Sequence, residues 1–299
     1  MRAYQNILLF SLTLLLWAGC EKEIDIDLPA PKALVVVDGF IENDQFAQVV
    51  VTRAIPYFGQ IDFNTLAGTF IQDAVVVVSD GQINDTLQLT IDPDAFPPIF
   101  FKGTNPALKG QVGQRYFLTV MADGDTITGS TTIPQLVYLD SIYWMPDVDF
   151  NVENDSLGFG MGRFKDPDTI GNNYRLFSKR QDYPDFRSAS RSVSDDRLVN
   201  GQDITFQFIR PRIVPNFLTP DSLDEDRQTR IFYKRGDTIQ VRYCTLDRAS
   251  YDYIRTYEIA AGSFGNPFAA PTFVRSNLEG GLGGFVGYGA TYYTYIVPQ

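Results

Sequence analysis

A mainly β protein is the fold class this sequence predicts: an N-terminal immunoglobulin-like β-sandwich, then a second β-rich domain carrying one amphipathic helix. Three observations lead there. Short apolar or alternating runs recur between turn signals such as Asn43-Asp44, Asp80-Gly81 and Asp123-Gly124-Asp125, the punctuation of antiparallel hairpins. Aromatic residues make up 14% of the chain, alongside plentiful Thr and Val, and these side chains suit a pleated, half-buried surface. Helical spacing of apolar residues is sustained only over 246–261.

Residues 1–19 read as a secretory signal peptide. Arg2 precedes an apolar run from Ile7 to Trp17, and Ala18-Gly19 lead into Cys20. The run is too short to span a bilayer, which takes about 20 apolar residues, and Glu21, Lys22 and Glu23 follow at once. Small residues before a cysteine resemble the bacterial lipobox, where cleavage occurs ahead of a diacylglyceryl-modified cysteine; Trp17 departs from the Leu usual at its position. The expectation is a lipoprotein with Cys20 as its lipidation site. Acyl chains such as palmitate add about 0.8 kcal/mol per buried methylene to membrane affinity. Residues 20–32 form the lipidated tether. Its acidic, Lys-containing start resembles the export signal of surface lipoproteins, and a plain solvated linker would look the same. The expected location is the outer membrane, lipid-anchored, with the surface-exposed face favoured over the periplasmic one.

The sandwich is expected over 33–134. Ala33 to Phe40 and Phe46 to Arg53 read as one hairpin, Ala74 to Val78 and Thr86 to Ile91 as further strands, and Gln114 to Met121 with Thr126 to Thr132 as another hairpin. Ile133-Pro134-Gln135 marks the boundary, since proline ends ladder pairing. In the second domain, 135–299, strands are expected at Tyr138 to Met145, Gly158 to Phe164, Asn172 to Lys179, Asp203 to Arg210, Thr229 to Lys234, Thr238 to Tyr243 and Thr291 to Val297. Long polar loops run from Gln181 to Asn200 and from Pro211 to Arg227. The helix at 246–261 has Leu246, Ala249, Tyr253, Tyr257 and Ala260 along one face, Thr245 as N-cap and Gly262 as its stop. That tyrosine stripe reads as core packing, with a ligand-stacking platform as the alternative.

Composition excludes much chemistry. With 25 basic and 36 acidic residues the net charge is −11, which opposes nucleic acid and anionic lipid surfaces. The sequence contains no histidine, so Ser-His-Asp and Cys-His mechanisms and imidazole zinc sites are removed. Cys244 would be left without a disulfide partner and reads as a small core residue. The glycine-rich run Gly280 to Gly289 lacks the Lys-Ser/Thr of a phosphate loop, so it reads as turns and a bulge leading into the last strand. Asp166 to Asn173 and Asp221 to Asp226 gather oxygen ligands without matching a calcium loop, and read as ordinary turns. No cofactor, metal or catalytic residue is expected.

Four segments then carry a resemblance: Cys20 to Pro29, Leu34 to Ile41, Thr52 to Phe58, and Asn266 to Pro271 with Ser276 to Phe285. They resemble a Bacteroidetes outer-membrane lipoprotein family known only as domain of unknown function 4249. The resemblance covers nearly the whole mature chain, and the Asn-Pro-Phe and Ser-Asn-Leu-Glu-Gly-Gly-Leu-Gly pairing after a Tyr-rich helix is its most specific part. It implies a cell-envelope protein whose genes often neighbour those of TonB-dependent transporters, with no established activity. The leading expectation is a binding or accessory subunit of such a transporter. An extracellular hydrolase using paired carboxylates and a structural or adhesive surface protein are the alternatives. Asn266, Pro267, Phe268, Asn277, Phe285 and Tyr288 are the candidate contact residues.

Overall fold

The computed structural model describes residues 33–55, 65, 67–93, 95, 97–147, 156–189, 191–211, 229, 231–263 and 272–299. It is mainly β, with strands arranged in three sheets. In spatial order the largest sheet holds β12 (Val193–Asp195), β11 (Asn173–Arg180), β15 (Thr238–Leu246), β17 (Leu282–Ile296), β1 (Val35–Glu42), β2 (Gln48–Arg53), β6 (Ile99–Lys102) and β5 (Gln88–Ile91). A five-stranded sheet runs β16 (Leu278–Glu279), β8 (Asp125–Thr132), β7 (Arg115–Ala122), β3 (Val75–Ser79) and β4 (Asn84–Thr86). A third sheet joins β13 (Asp203–Phe208), β10 (Leu157–Lys165) and β14 (Tyr233–Lys234), with β9 (Ser141–Pro146) also on β10.

β17 organises the rest. Its residues 282–288 pair in parallel with β1, and residues 288–296 pair antiparallel with β15. Side chains alternate across it, as period-two geometry requires. Phe285 enters a core shared with the five-stranded sheet, and Tyr293 and Tyr295 enter a second core shared with the third sheet. Val286, Tyr288 and Ala290 face the other way, into a third cluster under helix α1 (Arg248–Ser263). Both smaller sheets therefore cover one face of the large sheet, and the helix covers the opposite face. Ile133 lies in the first core and Val137 and Leu139 in the second, so the chain crosses between them around Pro134 while the large sheet draws strands from both sides of that residue.

Local chemistry explains the hairpins. Asp123 and Gly124 both have positive φ, 51° and 81°, the primed-turn geometry that lets β7 continue into β8. The Tyr116 hydroxyl accepts from Gln111 N at 2.8 Å and donates to Lys109 O at 3.1 Å, a corner tie of the kind immunoglobulin-like sandwiches use. The run Thr86 to Ile91, expected as one strand, is two. β4 pairs with β3 and β5 pairs with β6, and the buried Leu87 between them marks where the chain changes sheets. The last strand begins at Leu282 rather than Thr291. Its glycines lie inside the ladder, because neighbouring groups come too close for side chains.

Two of those glycines are decisive. Gly283 has φ +107°, and a methyl group there would meet Val37 O at 1.9 Å. A methyl at Gly284 would meet the Tyr253 ring at 2.3 Å. Backbone cannot rotate away, whereas a tyrosine side chain can shift. We expect Gly283→Ala to destabilise by roughly 3–5 kcal/mol and Gly284→Ala by about 1–3 kcal/mol, measured by urea unfolding; equal losses would contradict this reading of β17.

Candidate functional site

The start of the helix is tied to β8 by a carboxylate. Asp247 Oδ1 accepts from Ser250 N at 2.8 Å, the hydrogen bond of an N-cap. Its Oδ2 accepts from the Thr131 hydroxyl and from Thr132 N, both at 2.8 Å, and Thr131 Oγ1 accepts from Gly287 N at 2.7 Å. Thr245, the expected cap, lies instead inside β15 and donates to Gly289 O at 3.3 Å. The helix accordingly starts at Arg248 and ends at Ser263, and it buries Ser250, Tyr251 and Ile254. Of the expected tyrosine stripe, Tyr253 packs against the sheet at Gly284 while Tyr257 is 54% exposed.

Between this helix and the sheet lies a cavity of about 160 Å³. Tyr253 and Ile254 form its helical wall, Asp38 and Phe40 come from β1, and Val286 and Tyr288 from β17. Arg175 and Phe177 on β11 and Arg242 on β15 complete it. Register brings these together: Phe177 pairs with Arg242, and Arg175 with Cys244.

The two guanidinium groups are held differently. Arg175 donates from Nη1 to the Tyr288 hydroxyl at 2.5 Å and from Nε to Ser192 Oγ at 3.0 Å. Glu258 on the helix accepts from Ser192 N at 2.9 Å and lies 3.9 Å from Arg175 Nη2. Arg242 stacks 4.6 Å from the Phe177 ring centroid and 4.8 Å from that of Tyr288, cation–π contacts that strengthen when water is excluded. Its Nη2 lies 2.6 Å from Glu42 Oε2, and Glu42 also accepts from the Tyr292 hydroxyl. Glu42 thus neutralises Arg242 at Nη2, while the buried Nε has no hydrogen-bond partner.

Asp38 is the site's unmatched group. Among the described residues no hydrogen bond or ion pair engages it. It reaches solvent, yet the crowding walls disfavour its charged form and raise its carboxyl above the ordinary range, with Arg175 pulling the other way. Burial likewise raises the Tyr253 hydroxyl, and the nearby Asp38 adds to that shift. Asp38 and Glu42 stand four residues apart on one strand, roughly 13 Å by strand rise, beyond the roughly 5–9.5 Å of a glycosidase pair.

The sequence-derived candidates fall in several places. Tyr288 lines the cavity. Asn277 acts structurally: its side chain donates to Phe285 O at 2.7 Å and accepts from Phe285 N at 2.9 Å, like one more strand residue. Phe285 is wholly buried in the first core. Cys20, Asn266, Pro267, Phe268 and Asp221 to Asp226 lie outside the described residues. Asp166 accepts from the Tyr174 hydroxyl and Gly201 N, while Asp196 accepts from Gly171 N and Asn172 N. Both carboxylates thus serve protein donors. Asp38, Arg175 and Arg242 were not among the sequence candidates.

Two expectations follow from these environments. Cys244 is fully buried, and burial pushes its thiol up to about 11 against the pull of Arg242. In a Cys20→Ala background it should resist a thiol reagent in the native state and react on unfolding; rapid native labelling would contradict its burial. For Asp38, a carboxyl raised in the fold means that ionisation costs stability. That cost is absent below the ordinary value of 3.8 and grows as pH rises through the folded value. Asp38→Asn should therefore raise Tm relative to the parent near pH ~7 and leave it unchanged near pH ~3; a lower Tm near neutrality would reverse the sign.

No curated protein matches the chain. A family model described as Domain of unknown function (DUF4249) matches residues 21–294, nearly the full length and both sides of the cavity, and the chain belongs to that family.

Proposed function

We propose that this protein is a lipid-anchored envelope lipoprotein whose body binds a small ligand and acts as an accessory subunit of a TonB-dependent outer-membrane transporter. The observation that carries the binding role is the cavity under α1, where Arg175, Arg242 and the exposed Asp38 converge on walls made by Phe40, Ile254 and Val286. A small concave site with a few convergent polar groups on apolar walls is the general form of a ligand pocket. The anchor is supported by Ala18-Gly19-Cys20 and the short apolar leader. The transporter role is supported by the family resemblance of the tether, the Asn-Pro-Phe segment and the glycine-rich strand.

We expect a C-terminally tagged chain, extracted from outer membranes in mild detergent, to bring down a TonB-dependent transporter in near-stoichiometric amount, identified by mass spectrometry. Recovery of the chain alone would remove the accessory role. Replacing Cys20 by Ala should release the protein from the membrane fraction, and its retention there would remove the anchor.

A further inference from the structure

Resting on the reading of Cys20 as a lipid anchor, we propose that the end of the body where the tether joins it lies against the bilayer, with Leu34, Tyr257, Phe273, Val274 and Leu282 entering the boundary between headgroups and acyl chains. These five side chains are 41–88% exposed, and they come from four separate stretches of chain. Ladder and hydrogen bonds bring the stretches together. Val36 pairs with Leu282, which sets Leu34 beside the start of β17. Ser276 Oγ donates to Gly283 O and Arg275 N donates to Thr256 Oγ1, both at 2.8 Å, so Phe273 and Val274 directly precede a segment bonded to both α1 and that start. The helix points the same way. Its beginning is tied through Thr131 to Gly287, Tyr253 lies over Gly284, and the Tyr257 ring centroid is 6.3 Å from that of Tyr253, one turn nearer Leu282.

Charge and chain length single out a lipid surface as the occupant. Charged residues make up 20% of the sequence, yet from Thr256 to Ser263 the only one is Glu258, which is turned inward to Ser192 and Arg175. Arg275 stands beside the patch, 3.8 Å from Asp252 and with its side chain 71% exposed, and its apolar stem lets the guanidinium stay at headgroup level while its neighbours insert. Asp38, four residues beyond Leu34 on β1 and roughly 13 Å away by strand rise, limits entry to the roughly 5–10 Å depth of interfacial segments. Only residues 21–32 separate Cys20 from the body, a span of at most about 45 Å when fully extended. The anchor therefore confines this end near the membrane and raises its effective concentration there, so that weak apolar contacts suffice.

The test uses the full-length chain purified from membranes and reconstituted into phosphatidylcholine vesicles, with an environment-sensitive fluorophore attached at Phe273→Cys or, as control, at Ile296→Cys. Ile296 is 69% exposed at the far end of β17, roughly 46 Å from Leu282 by strand rise, and the native Cys244 is buried. Lipid carrying a shallow nitroxide should quench most of the emission at position 273 and little of it at position 296. Leu34→Glu combined with Leu282→Glu should bring quenching at position 273 down to that of the control, with circular dichroism and Tm establishing that the variants fold. Flotation of the vesicles with and without Cys20→Ala reads the anchor separately. Flotation with neither position quenched, or with both quenched alike, would overturn the membrane contact and leave the anchor standing. A spectral shift at position 273 that the nitroxide does not quench, in a chain that cross-links as a dimer, would place a second copy on the patch and overturn the lipid assignment. A chain that neither floats nor is quenched would overturn anchor and contact together.

Discussion

Everything in the described fold hangs on one strand meeting three demands. β17 is 15 residues long, and its alternation has to place Phe285 in the first core, Tyr293 and Tyr295 in the second, and Val286, Tyr288 and Ala290 beneath the helix. A slip of one residue would exchange the faces. That would put tyrosines against the helix and glycines where the cores need volume. Tyr288 is the pivot, since it pairs with Glu42 on one edge and with Leu246 on the other. Its side chain then touches both arginines of the cavity. Register and site are thus one constraint.

The glycines of this strand follow from the same demand. Where Gly287 lies, the backbone of β8 comes so near that a methyl would meet Thr132 O at 2.7 Å, and at Gly284 the space belongs to the Tyr253 ring. Interior glycine weakens a strand in isolation. Here it permits the first small sheet to approach one face and the helix the other, and the area buried by Phe285, Val286 and Tyr288 offsets the loss at about 25 cal/mol per Å². Asp247 completes the arrangement by binding the start of the helix to β8, while Thr131 joins β8 to β17.

Hairpins were legible because their signals are local: Asp123-Gly124 and the alternation on either side suffice to mark β7 and β8. The split of Thr86 to Ile91 was not, because a change of sheet at Leu87 is decided by what each half meets. The glycine-rich run read as turns for a similar reason, since a glycine in a strand is justified only by neighbours distant in sequence. Thr245 read as the cap, but it is buried within β15 and Asp247 takes the capping role. Of the candidate site, Tyr288 and Tyr253 stood out as aromatic positions. Asp38, Arg175 and Arg242 carried no local signal, because their meeting depends on strand order and on which face each side chain takes.

Those three residues conflict with the pattern around them. Val-Val-Val-Asp-Gly-Phe-Ile-Glu along β1 places the exposed Asp38 and the buried Glu42 on either side of the half-buried Phe40 on one face. Opposite them stand two arginines where β11 and β15 could have carried apolar residues. Desolvated ion pairs seldom stabilise more than well-packed apolar side chains of equal volume, so Glu42 with Arg242 and Glu258 with Arg175 are poorly explained as stability devices. Stacking on Phe177 and Tyr288 holds the guanidinium groups in place without answering all their donors. Apolar packing alone does not account for these paired charges at one cavity, and the proposed binding role rests on that departure. The fold supplies rigid strands for those groups, the support that the proposed binding site requires.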